Sequence, residues 1–300
     1  MSLTRRGFLG LSAAAAAEVA GLGPAGWAIY KMHRPTSPDV DQTLAVPGPK
    51  AAVPTRGKVV TGSFPSSHMR NGLVDFAICY PYWPRPNDNL PIVLALYGRG
   101  DTYQTGLSPD EVGLQKAQAA VVASGVPAFA IVTVEAGPTS YWHDRADGRG
   151  VQTMIRTELL PALARRGLHT DRIGLLGWSM GGYGALLLAE RLGSAGVAAV
   201  AAFAPALFDS YRHASPVAFD SAADFAANDV PAGVAKLAGI PVRIVCGKQD
   251  PFYDQVRRFV ALPHQSAVVT SFGKGGHGFG YWRTQTAEQL EFIGTRLPVR

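Results

Sequence analysis

Cysteine is nearly absent. Cys79 and Cys246 are the only two in 300 residues. Two thiols are too few for a disulfide scaffold. Both lie in apolar, strand-like stretches (residues 76–80 and 242–246), so two buried free thiols are expected, with a pairing between them as the alternative. No CxxC or His/Cys spacing suggests a metal ligand set. Clusters of basic residues are also missing. The formal net charge of +6 is spread along the chain, whereas a nucleic-acid face would gather Lys and Arg with interleaved aromatics. No nucleic-acid partner is therefore expected. Heptads and solenoid repeats do not occur. Nor does a leucine-rich run of about 20 residues that would read as a strong membrane span. What is present is an ordinary globular balance, 47% hydrophobic and 17% charged, at a length that suits one large α/β domain or two small ones.

The first residues read as an address. Ser2-Leu3-Thr4-Arg5-Arg6-Gly7-Phe8-Leu9 resembles a twin-arginine export signal, and the weakly apolar Ala/Gly-rich stretch that follows suits that route. Gly26-Trp27-Ala28 offers small residues for cleavage without a clear Ala-x-Ala. If uncleaved, the segment gives membrane association at the outer face of the cytoplasmic membrane. The expected organisation is a signal or anchor at 1–30, a Pro/Thr/Val/Gly-rich linker at 31–57 and a catalytic domain at 58–300.

From Lys58 onward, apolar runs alternate with helical periodicity. Strands are expected at 59–63, 74–80, 91–97, 128–134, 173–176, 198–203, 241–247 and 267–272. Helices are expected at 109–124, 151–166, 180–192, 252–262 and 284–297. Continuous apolar runs such as Pro91-Ile-Val-Leu-Ala-Leu-Tyr97 are the mark of strands buried on both faces. The class implied is α/β, a mostly parallel central sheet with helices on both faces. Residues 206–240 break the alternation and read as a helical excursion near the site.

The strongest motif is Gly177-Trp178-Ser179-Met180-Gly181, between a buried strand and a helix. That setting makes G-x-S-x-G a nucleophile elbow of the α/β-hydrolase fold. A sharp turn lifts the serine hydroxyl clear of the sheet, and the residues two away must be small. A serine hydroxyl needs a base, and the base an orienting carboxylate. In this fold they follow in the order Ser, acid, His. Asp250, just past the strand at 241–246, is the candidate acid, with Asp254 in reserve. The competing reading is that Asp250 merely caps the next helix, with Pro251 at its first position. His277, among glycines between the last strand and the last helix, is the candidate base. His143, which precedes Ser179, is its rival. The oxyanion hole should combine the amide of Met180 with that of Arg99 or Gly100, in the loop after the strand ending at Tyr97.

These motifs, together with Leu94-Ala95-Leu96-Tyr97-Gly98, Ser140-Tyr141-Trp142-His143 and Gly276-His277 followed by Tyr281-Trp282-Arg283, resemble the esterase family that includes esterase D, S-formylglutathione hydrolase, feruloyl esterases and the mycobacterial mycolyltransferases. The likeness is to its exported actinobacterial type. It implies Ser179, Asp250 and His277 as a triad. Tyr97-Gly98 departs from the His-Gly common in feruloyl esterases, and the cysteine-bearing oxyanion loop of the formylglutathione hydrolases is missing. An aspartate stands where the mycolyltransferases use glutamate. The implied activity is hydrolysis of a small-molecule, lipid or glycan ester through an acyl-Ser179 intermediate. Acyl transfer to a cell-envelope lipid or glycan is the alternative, and a non-catalytic envelope-binding protein the rival class. Tyr97, Asp101, Tyr141, Trp142, His143 and Trp282 are expected to line the substrate cleft, and no cofactor is implied.

Overall fold

The computed structural model describes residues 57–82 and 89–299. The expected signal at 1–30, and the expected linker at 31–57 except its last residue, lie outside the described residues. Eight strands form one sheet: β1 (Val59–Pro65), β2 (Leu73–Cys79), β3 (Pro91–Leu96), β4 (Ala130–Val134), β5 (His169–Trp178), β6 (Val197–Phe203), β7 (Val242–Val245) and β8 (Val268–Ser271). Their order is β1-β2-β4-β3-β5-β6-β7-β8. β2 runs antiparallel to β1 and to β4, and every other pairing is parallel. This is the α/β-hydrolase arrangement. All residues of β4 and β6 are buried, as expected for parallel strands covered on both faces.

The chain goes from β3 outward to β4, then returns to place β5 on the other side of β3. The connections leaving β3 and β5 therefore diverge, and a crevice opens above their carboxyl ends. The loop carrying Arg99 and Gly100 leaves β3 and Ser179 leaves β5, so strand order alone brings them together.

Helices α1 (Leu114–Ala123), α2 (residues 151–164), α3 (Met180–Gly196), α4 (Ala222–Ala227), α5 (Tyr253–Val260) and α6 (Phe279–Gly294) cover the sheet and its upper edge. Within α2 a π turn, Ile155–Leu159, precedes Pro161, whose ring cannot continue a regular α ladder. On β5, an added Cβ at Gly174 would meet Ile293 of α6, while one at Gly177 would meet Gly181 of α3. Residues three apart on a strand point to opposite faces, so α3 and α6 lie on opposite sides of the sheet.

Most expected elements agree with these to within a few residues, with three differences. β5 starts at His169, because its polar first residues, His169 to Arg172, hide the strand pattern. α1 starts at Leu114, after turns over 109–113. α6 starts at Phe279, where Gly278 and Gly280 suggested a loop. The excursion at 206–240 holds only short helical turns and α4. Cys79 and Cys246 are buried free thiols, and burial pushes the Cys79 thiol up to about 12.

One buried carboxyl stands out. Glu190, on α3, is 8% exposed and its Oε1 has no hydrogen-bond partner. Burial pushes it up to about 8, against the pull of Lys236 and Arg191. Its ordinary value is 4.5, so the unfolded chain loses this proton first as pH rises. Folded stability should then fall between about pH 4.5 and 8 by a few kcal/mol from this group. Glu190→Gln should flatten that slope and raise Tm at pH 8, as read by thermal melts across pH.

Candidate active site

β5 ends at Trp178 and α3 begins at Met180, leaving one residue to make the turn. That residue, Ser179, has φ 54 and ψ −119, a left-handed conformation costing a β-substituted residue about 1–3 kcal/mol. Three backbone hydrogen bonds hold it. Its N–H donates to Phe203 C=O (2.9 Å), and its C=O accepts from Tyr183 N–H (3.1 Å) and Ala206 N–H (3.0 Å). The glycines allow the approach. A Cβ at Gly177 would sit 2.1 Å from Gly181 O, and one at Gly181 would sit 1.9 Å from Leu96 O. The Ser179 side chain remains partly exposed.

The structure brings Asp250 and His277 to this serine. His277 Nδ1 lies 2.8 Å from Asp250 Oδ2, and His277 Nε2 lies 2.8 Å from Ser179 Oγ. An ionised carboxylate only accepts, so Nδ1 carries the proton and Nε2 is left to accept from the serine hydroxyl. Asp250 also accepts from Phe252 N–H through Oδ1 (2.9 Å). The carboxylate thus serves both readings of its sequence position, as partner of the base and as anchor of the turn into α5. Asp254 lies exposed on α5. The acid and base loops continue the β7–β8 ladder: Lys248 N–H donates to Gly273 O (2.9 Å) and Gln249 N–H to Gly275 O (3.0 Å). This contact needs Gly247, where a Cβ would lie 2.1 Å from Gly275 O.

The loop after β3 makes a turn from Gly98 to Asp101, closed by Asp101 N–H to Gly98 O (3.2 Å). Gly100 has φ 83, the left-handed position of a type II turn. Its amide donates to Pro138 O (2.9 Å), which removes Gly100 from the two expected oxyanion donors. The amides of Arg99 and Met180 have no acceptor among the described residues.

Several side chains expected to line the cleft lie beneath it. Tyr97 is 1% exposed. Its hydroxyl donates to Glu135 Oε1 (2.6 Å) and accepts from Ala136 N–H (2.8 Å). Tyr141 and Trp142 have φ 48 and 55, which turns both rings inward. Trp142 packs on Gly184, where a Cβ would lie 2.3 Å from its own Cβ, and donates to Tyr97 O (3.0 Å). His143, also buried, contacts Asp224 Oδ2 through Nε2 (3.1 Å) and stacks on Phe219. Trp282 sits edge-on behind His277, ring centroids 4.8 Å apart. Only Asp101 keeps partial exposure. All four non-glycine residues with positive φ among those described, Tyr141, Trp142, Ser179 and Ala204, belong to segments packed around the elbow.

Three rings the sequence reading did not single out surround the His277 imidazole or the loop beside it. Phe252 lies 5.2 Å from His277 and 5.8 Å from Phe208, and Phe219 backs Tyr141 and His143. Phe252 follows Asp250-Pro251, a readable signal, whereas Phe208 and Phe219 sit in the aperiodic excursion. Arg145 clamps that excursion to the 137–150 loop through Asp220 (2.6 Å). A hollow of about 160 Å³ beside Phe208 is walled by Leu207, Pro231, Phe259 and Leu262 but also by Asp209, Asp229, Gln255 and Arg258, and none of Ser179, Asp250 and His277 lines it. No group of three or more metal-ligating side chains occurs among the described residues.

Comparison with known proteins adds an independent finding. A family model described as "Putative esterase" matches residues 67–293. A ferulic acid esterase structure superposes with TM-score 0.69 at 22% identity, covering 81% of this chain and 100% of that one. An S-formylglutathione hydrolase from Agrobacterium tumefaciens gives 0.64 at 17%, covering 81% and 97%. A fluorophosphonate-binding serine hydrolase of Staphylococcus aureus gives 0.65 at 16%, covering 80% and 99%. No curated protein matches by sequence.

The burial of His143 makes a testable distinction between support and substrate contact. His143→Ala should cost about 1–3 kcal/mol by removing a partner from Asp224. It should lower Tm and leave KM for a small ester unchanged. A raised KM at unchanged Tm would place the imidazole in the cleft.

Proposed function

Because the chain belongs to the esterase family of the α/β-hydrolase fold, and is by that membership an ester hydrolase, we propose that it cleaves carboxylic esters through a covalent acyl-Ser179 intermediate. The observation that carries this reading is the unbroken Ser179–His277–Asp250 hydrogen-bond chain, 2.8 Å at each link. His277 Nε2 takes the proton as Ser179 Oγ attacks the ester carbonyl. The carbonyl oxygen becomes an oxyanion, facing the amides of Arg99 and Met180 at the N-terminus of α3, where the helix dipole also favours negative charge. His277 returns the proton to the departing alcohol. Water, activated by the same imidazole, then releases the acid. Asp250 holds the imidazole in the tautomer this sequence requires and stabilises its charged form.

The half-buried rings of Phe208 and Phe252, the latter 5.2 Å from His277, support an ester with an apolar acyl or alcohol portion. An alcohol entering in place of water would make the same site an acyltransferase. Competition between water and added alcohols, followed by product analysis, separates the two. The twin-arginine pattern at Arg5-Arg6 supports export to the cell envelope.

Ser179→Ala should lower kcat on p-nitrophenyl esters by at least ~10³-fold and abolish fluorophosphonate labelling. Asp250→Asn, which permits the wrong tautomer, should cost on the order of 10⁴ in kcat. Unchanged hydrolysis in Ser179→Ala would overturn the acyl-Ser179 mechanism, and a parent no faster than the uncatalysed background would favour a non-catalytic role. Exchange of both Arg5 and Arg6 for lysine should retain the protein in the cytoplasm on cell fractionation, and equal export would refute the route.

A further inference from the structure

Asp101 has no part in the triad, yet it sits where the two halves of the oxyanion site meet. Its Oδ2 accepts the indole N–H of Trp178 at 2.8 Å. Trp178 is the residue immediately before the nucleophile and is 1% exposed. The indole is wedged under the oxyanion loop: a Cβ at Gly98 would lie 3.0 Å from Trp178 Cδ1, and one at Gly106 would lie 2.7 Å from Trp178 Cη2. The Gly98–Asp101 turn is thus fixed at three points. Asp101 N–H closes it on Gly98 O, Gly100 N–H ties it to Pro138 O, and the Asp101 carboxylate ties it to the elbow. The Arg99 amide is left directed by all three.

We propose that Asp101 is a positioning residue, which by accepting the Trp178 indole hydrogen locks the oxyanion turn to the nucleophile elbow and sets the aim of the Arg99 amide. The inference rests on Ser179 acting as the nucleophile. Two donors on separate strands can stabilise one oxyanion only if their spacing is fixed before reaction, because hydrogen bonds to developing charge lose their advantage when the donors must reorganise. β3 and β5 are neighbours, but the loops beyond them diverge, so the strand ladder cannot set this spacing. The Asp101–Trp178 bond spans that gap. Burial pushes the Asp101 carboxyl up to about 6, while the Trp178 indole, the Gly98 backbone and His277 pull it down. Glu111 is the other acidic group that feels its charge. A carboxyl retains an accepting oxygen whether or not it is ionised, so the tie does not require the charge.

The test uses steady-state kinetics of the purified full chain on p-nitrophenyl acetate, with Tm recorded for every variant. Asp101→Ala and Trp178→Phe should each lower kcat by about ten- to a hundredfold, at or below the loss expected for deleting one oxyanion donor. KM should stay within about twofold. The double variant should be no worse than the poorer single one, because both remove the same tie. Asp101→Asn, which keeps an oxygen acceptor, should recover kcat to within about threefold of the parent. Full kcat in Asp101→Ala, multiplied losses in the double variant, a rise in KM alone, or an Asn variant as impaired as the Ala variant would each overturn the proposal. If Asp101→Ala does not fold, the near-isosteric Asp101→Asn with Trp178→Phe carries the same comparison. Ser179→Ala run alongside keeps the two claims apart. Activity surviving there refutes the nucleophile, whereas an inactive Ser179→Ala beside a fully active Asp101→Ala refutes this inference alone.

Discussion

A single residue held against its own conformational preference organises the upper half of this molecule. Ser179 has a positive φ because β5 and α3 leave no other residue for the turn. The serine is kept there by backbone bonds to Phe203, Tyr183 and Ala206, segments that belong to different elements. Each of those bonds demands close packing of backbone on backbone, and the glycines at 177 and 181 are what make the packing sterically open. The cost of the strain falls on the interlocking of β3, β5, β6 and α3 rather than on any one contact. Local strain persists only where its surroundings over-determine it, and here they do.

Around that constraint the remaining groups divide by role. Asp250 and His277 arrive from the far side of the sheet, on loops that extend the β7–β8 pairing. The amides of Met180 and Arg99, the proposed oxyanion donors, arrive from the near side, on the elbow and on the loop after β3. Beneath both, Tyr97, Trp142 and His143 form a buried polar-aromatic layer. Its hydrogen bonds run to Glu135, to the Tyr97 carbonyl and to Asp224. Trp142 packs on α3 at Gly184 and His143 against Asp224 and Phe219, so the layer supports the loops above it.

Much of this was readable from residue order. The elbow declares itself because only small residues fit beside the turn, and the acid and base follow from chain order and from strands that end where they should. The aromatic loop was misread for a physical reason. Ser140-Tyr141-Trp142-His143 lies among glycine, proline and charged residues, which read as exposed, and nothing in the letters announces the consecutive positive φ values that fold those rings inward. The start of α6 was hidden likewise by Gly278 and Gly280, which look like a loop although Gly278 has extended backbone (φ −179) and stands just before the helix. Glu135 and Asp224 gave no signal, since their importance arises from partners 38 and 81 residues away. The choice between Arg99 and Gly100 depended on where Pro138 falls, a tertiary fact.

The backbone bonds between the acid loop and the base loop carry a further consequence. Asp250 and His277 are joined by their side chains and again by Lys248–Gly273 and Gln249–Gly275, so they form one stiff body on the β7–β8 edge. Ser179 is held separately, on β5 and α3, and β6 joins the two through continuous ladders. The tilt of the imidazole is thus set within the β7–β8 unit, and its distance from Ser179 Oγ is set by the strand ladders between. The two placements are separable, and the 2.8 Å gap between His277 Nε2 and Ser179 Oγ is the one a proton would cross in the proposed reaction.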